Sequence, residues 1–266
     1  MSEGEVFVLI GCAIVGFVIW LGWLIRIVSV SRRHSRFADR WLLLAAPLLC
    51  AALLYGVLRR FASFDVREDP VFLFFYMVMG AAWVGLAAQF LSLFGVSVRD
   101  DVLERGNRAA AVAIAGALMG ITFCFAGGNI GDGPGWWVVV FCAALSTGTL
   151  LLLWIFLDRT TGLADTVTID RDPAAGLRLA GFFLGAGLIL GRSVAGDWES
   201  GAATVRDFVI TGWPALALWL VAVWLEPRLR PSPEEAHRPL LSHGLLPALL
   251  YAGGGYLAAM QAGPWT

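Results

Sequence analysis

Eight stretches of this chain run for about the thickness of a membrane without Asp, Glu or Lys and, with one exception, without Arg. They are Val6–Ile25, Trp41–Leu58, Pro70–Val98, Ala109–Gly131, Gly133–Leu157, Pro173–Gly191, Phe208–Leu225 and Pro239–Thr266, and the exception is Arg178 in the sixth. Crossing the hydrocarbon core takes roughly 20 apolar residues in a helix, which satisfies its backbone polar groups internally. The runs do not alternate polar and apolar residues, so a transmembrane β-barrel does not fit. Composition agrees, since charged residues make up only 15% of the 266, against about 25% in soluble domains. A soluble globular domain, a disordered chain and a nucleic-acid binder are excluded. The expected fold is an all-α polytopic membrane helix bundle of about eight transmembrane helices. The first run has an acidic flank (Glu3, Glu5) and no small-residue cleavage site after it, so it reads as a retained helix and not a signal peptide.

Arginine sets the expected orientation. All 19 basic residues are Arg. With the N-terminus outside and eight spans following, 14 of them fall on the inward side, including Arg26, Arg32, Arg33, Arg36 and Arg40, and 5 on the outward side. That asymmetry predicts that both termini lie outside the cytoplasm. Trp136, Trp137, Trp198, Trp213 and Trp265 fall near the outer span ends, as an aromatic belt would. The stretch from Glu226 to Arg238, with Pro227, Pro231 and Pro233, reads as a cytoplasmic linker.

A shift of 65 residues superimposes two segments. Asn107-Arg108-Ala109-Ala110-Ala111 falls on Asp172-Pro173-Ala174-Ala175-Gly176, Gly116 on Gly181, Gly120 on Gly185, and Gly131-Asp132 on Gly196-Asp197. After a three-residue insertion, Phe156-Leu157-Asp158 falls on Trp224-Leu225-Glu226. The pattern predicts a bundle built from two-helix repeats, with spans 2 and 8 as degenerate counterparts marked only by Asp39-Arg40 and Ser242. It divides the chain into an N-terminal helical hairpin (1–69), a repeat core (70–196) and a C-terminal helical hairpin (197–266). From about Val71 to Gly196 the sequence resembles the bacterial inner-membrane family known as domain of unknown function 350, the YjfL-like proteins. The resemblance rests on Asn107, Ala109, Ala110, Gly116 and Gly120, and on a second copy at Asp172, Ala174, Ala175, Gly181 and Gly185. It implies a multi-span membrane protein and carries no reaction, ligand or catalytic residue.

The candidate residues follow from these motifs. Gly116, Gly120, Gly181 and Gly185 lie one turn apart in pairs, the spacing that lets helix backbones approach closely, and are expected to pack helices, within the chain or between copies. Asn107 and Asp172 precede helices, where their side chains suit N-caps. Two parallel helix starts at one depth would also suit an ion or solute. Arg178, about one and a half turns into span 6, is expected to snorkel to headgroups or to pair with Asp172 or Asp170. Asn107, Asp172 and Arg178 are thus the candidate ion or solute contacts.

Gln89, Ser146, Thr147 and Thr149 are expected to bond within their own helices. Cys12, Cys50, Cys124 and Cys142 read as packing residues. His34, His237 and His243 have no metal-ligand spacing. No metal, cofactor, nucleic acid or catalytic role is expected. The expected partners are the lipid bilayer and either a second copy of the chain or another membrane protein. The leading reading is a structural or partner-binding protein, and the alternative is a small transporter or channel with its site at the cytoplasmic ends of spans 4 and 6.

A reporter fused after Thr266 is expected to be active only outside the cytoplasm. Neutral substitutions at Arg32, Arg33 and Arg36 are expected to mix the orientation. A cytoplasmic C-terminus would overturn the arrangement.

Overall fold

The computed structural model describes residues 1–29, 37–93, 95–231 and 239–263. Arg32, Arg33, His34, Arg36, Pro233, Glu234, Glu235, His237, Arg238, Trp265 and Thr266 lie outside the described residues. The chain folds into helices α1 (Glu3–Ser29), α2 (Phe37–Phe61), a short α3 (Phe64–Glu68), α4 (Pro70–Leu93), α5 (Arg108–Gly127), α6 (Trp136–Thr161), a short α7 (Leu163–Thr168), α8 (Pro173–Ser193), α9 (Gly201–Leu229) and α10 (Leu246–Gln261). Two π-helical segments, Val98–Glu104 and Leu241–Leu245, precede α5 and α10.

Seven of these helices are long and apolar enough to cross a membrane: α1, α2, α4, α5, α6, α8 and α9. α10 has 16 residues, about 24 Å at the α-helical rise, and the π-helical segment leads straight into it. It occupies the place of the eighth expected span. Local chemistry sets the boundaries. Asn107 and Asp172 cap α5 and α8, and Ser200 caps α9 by accepting from Ala203 N at 3.2 Å. Gly162 ends α6 in the left-handed conformation (φ 65°), its N–H donating to Asp158 O, a position where a side chain would be strained. α9 starts seven residues before the uncharged run it contains, so Trp213 stands well inside the helix and not at its end.

α5 and α8 form the centre. In their apolar windows 78% and 83% of residues are buried, against 11% in α1 and 28% in α2 and α9. α8 lies between α5 and α10, and the backbones nearly touch. A Cβ at Gly116 would overlap Ala180, and one at Gly120 would overlap the backbone of Phe183. In the other direction, a Cβ at Gly176 would overlap Ala109 and one at Gly187 would overlap Gly120. These four contacts recur between α8 and α10 with its leading π-helical segment: Gly181 against Ala248, Gly185 against Tyr251, Gly244 against Ala174, and Gly255 against Gly185. The recurrence follows a shift of 65 residues from α5 to α8 and 68 from α8 to α10. Span 8, expected to retain only a trace at Ser242, therefore matches its predecessors in packing. On α10 the slots after Gly181 and Gly185 hold Leu249 and Gly253, both exposed, and the row ends there.

The four predicted packing glycines are thus engaged within the chain. Lateral surface is supplied instead by the outer helices, where Phe7, Phe17 and Val28 on α1 and Val209, Trp213 and Trp224 on α9 are more than half exposed. Large apolar side chains exposed at this density on spanning helices face lipid.

Gly116→Leu and Gly181→Leu are expected to cost at least the 1–3 kcal/mol typical of overpacking, read as lost yield and an earlier thermal transition in detergent. Gly253→Leu, where nothing lies within 4 Å of a new Cβ, is expected to be neutral.

Candidate functional site

The two capping residues use their side chains locally. Asn107 is buried; its Oδ1 accepts from Ala110 N at 3.2 Å, and its Nδ2 donates to Val167 O of α7 at 2.7 Å. Asp172 accepts from Ala174 N at 3.0 Å and from Ala175 N at 3.1 Å, with Pro173 at the first helical position, where no N–H is needed. Asn107 stands among α5 and α7 contacts, whereas Asp172 has a second neighbour, Arg178.

Arg178 does not snorkel. It is 0% exposed, because residues 174 to 182 of α8 are enclosed by α5 on one side and α9 and α10 on the other. Its Nε donates to Glu226 Oε2 at 2.8 Å, and its Nη1 donates to the carbonyl of His243 at 2.5 Å. Nη1 also lies 3.8 Å from Asp172 Oδ2. Of the two expected partners, Asp172 is near, while Asp170 lies 3.9 Å from exposed Arg230. The other Glu226 oxygen, Oε1, accepts from the Tyr251 hydroxyl at 3.2 Å. One guanidinium therefore ties α8 to α9 through Glu226 and to the π-helical segment before α10 through His243, and Tyr251 on α10 closes the network. Arg178 Nη2 is buried without a hydrogen-bond partner.

Glu226 corrects the expected linker. α9 continues through Pro227 to Leu229, and Glu226 is 3% exposed inside the bundle. Two sequence signals pointed to it: its register with Asp158, and its position as the first charge after an 18-residue apolar run. Asp158 in turn accepts from Ala164 N at 2.7 Å and starts α7, so the two matched acids serve different ends. The His243 carbonyl is an acceptor for a local reason. Pro247, four residues on, has no N–H to offer it in a helix. Tyr251 carried no sequence signal for this role.

Of the four polar groups expected to bond within their own helices, Ser146, Thr149 and Gln89 do so, and Thr147 instead reaches a neighbouring helix. Ser146 donates to Cys142 O at 2.7 Å, Thr149 to Leu145 O at 2.8 Å, and Gln89 to Gly85 O at 3.4 Å. Thr147 accepts from the Trp83 indole across to α4 at 3.1 Å. The glycine-rich turn after α5 is stitched to its counterpart after α8: Gly196 N donates to Ile130 O at 2.9 Å and Trp198 N to Asp132 O at 2.8 Å. Among the described residues no group of three or more His, Cys, Asp or Glu could hold a metal ion.

Residues 133–261 match the family model described as Domain of Unknown Function (DUF350). The matched region runs from the turn before α6 to the end of α10 and contains Asp172, Arg178, Glu226, His243 and Tyr251. It overlaps the segment that carried the resemblance only from residue 133 onward, so it includes the second copy of the motif and begins after the first, at Asn107 to Gly120. No curated protein and no solved structure matches the chain.

Arg178→Ala strands a buried carboxylate and is expected to cost about 3–5 kcal/mol of stability. The double variant Arg178→Met/Glu226→Leu is expected to recover most of that loss. Thermal unfolding of Arg178→Met, Glu226→Leu and the double variant measures the coupling.

Proposed function

We propose that this chain, with its DUF350 region at residues 133–261, is a non-enzymatic structural or partner-binding protein of the bacterial inner membrane with both termini outside the cytoplasm. The observation that supports a structural role is the destination of Arg178. Its Nε and Nη1 are donated to Glu226 and to His243 O, which makes the buried charge a clasp between three helices. The contact pattern shared by α5, α8 and α10 supports reading them as three copies of one unit, stacked into a stiff row. A partner, either a second copy or another membrane protein, would then meet the exposed faces of α1 and α9, since the glycine faces are already occupied.

The second reading, a small transporter or channel, draws on a different observation. Arg178 Nη2 is buried and unpaired, beside two carboxylates that give the cluster a net negative charge when all three groups are ionised. Ionisable groups at such depth often mark ion or proton paths.

Flux of protons, potassium and chloride through the protein in liposomes separates the two. The structural reading expects no flux above empty vesicles, a loss of stability in Arg178→Ala, and crosslinks through α1 or α9 in native membranes. The transport reading expects flux that Glu226→Gln abolishes in a protein that still folds.

A further inference from the structure

We infer that the cleft between α1, α2 and α4 is a lipid-binding site that holds an acyl chain of a membrane phospholipid. The cleft has a volume of about 480 Å³, within the roughly 300–1,000 Å³ range of small-ligand sites.

Its shape follows from how α1 is attached. α1 lies along α4, with Gly16 against Ala82 and the Trp20 indole donating to Ala81 O at 3.0 Å. Among the described residues, hydrogen bonds at one end join it to α2. The Trp23 indole donates to Leu43 O at 3.0 Å, and Arg40 Nη1 donates to Ile27 O at 3.1 Å. Pro47 makes the first of these available, because it has no N–H to give Leu43 O four residues earlier. Clipped to α2 at one end and laid on α4 along its length, α1 leaves a gap over Cys50, Leu54, Met77, Val84 and Thr122.

The chemistry of the walls selects an apolar chain. Of the three tryptophans that line it, Trp20 and Trp23 donate their N–H groups to carbonyls, and Trp41 stands at the lip. The hydroxyl of Thr122 is donated to Leu118 O at 2.7 Å. The remaining lining is aliphatic, aromatic, thiol or thioether, so water would find few partners there. The lip is formed by Leu24, Trp41 and Leu48, which are 47%, 55% and 71% exposed. On spanning helices that opening faces the bilayer, where acyl chains are the solvent. A transmembrane helix is about 10–12 Å across and about 30 Å long, several times the volume of the cleft, which favours a single chain over a partner's helix. The tryptophan end is also where α1 finishes beyond Arg26 and α2 begins around Arg40. Positive charge at that level suits a phosphate headgroup.

The test is the phospholipid retained by the full chain after exhaustive washing in mild detergent, read by native mass spectrometry and phosphorus content. Ala51 and Ala81 line the cleft with exposed side chains, so Ala51→Trp/Ala81→Phe fills it. Ala52, the next residue on α2, is exposed and outside the cleft, so Ala52→Phe is the control. The wild type and the control are expected to retain about one phospholipid per chain, and the filled variant at least fivefold less at an unchanged thermal transition. Should the double variant unfold early, Ala51→Leu carries the same comparison with a smaller intrusion. Equal retention in a folded, filled variant would overturn the proposal. So would a wild type that retains no phospholipid, or a second polypeptide crosslinked at position 51.

Discussion

Helices in a bilayer gain little by hiding apolar side chains from one another, because lipid is as apolar as they are. What holds this protein together is therefore backbone contact. α5, α8 and α10 approach so closely that a single Cβ at Gly116, Gly181 or Gly185 would overlap the neighbouring helix. Close approach multiplies weak dispersion contacts, which are small individually and large in sum. It also fixes register: a glycine on one helix must face the backbone of the next, and the same four pairings recur along the row. The burial gradient follows, with α8 enclosed and α1 nearly all at the surface.

That enclosure explains the charge cluster. An arginine one and a half turns into a peripheral helix could bend its side chain to the headgroups. On α8 the same residue is walled in by the close-packed row, so its charge must be met inside. Glu226 on α9 and the His243 carbonyl before α10 meet it, and Tyr251 on α10 donates to Glu226. The desolvation cost of such a pair is high and its net contribution to stability small, but removing one partner is severe. The cluster therefore enforces one arrangement of α8, α9 and α10.

Proline plays the same part at two distant places. Pro47 leaves Leu43 O without its helical donor, and the Trp23 indole supplies one; Pro247 does the same for His243 O, and Arg178 supplies one. A backbone carbonyl left open in lipid is costly. In both places a long side chain from another helix satisfies it and is held in place by doing so. At the first place this draws α1 toward α2 and leaves the apolar cleft beside them. At the second it anchors the start of α10 to the centre of the bundle.

Much of the architecture was legible in the sequence because it is local. Apolar run length gives spans, Asn107 and Asp172-Pro173 give helix starts, and glycines at four-residue spacing give a face that another backbone can approach. The 65-residue shift showed that α5 and α8 are alike, although the likeness of α10 was nearly hidden, since it is carried by Gly244 and Gly255 without the flanking motif. The sequence could not say which helix each glycine meets, nor that Arg178 would find Glu226, 48 residues away and seemingly in a loop. Span and cap depend on neighbours along the chain, whereas a buried charge takes whichever partner the packed backbones bring within reach.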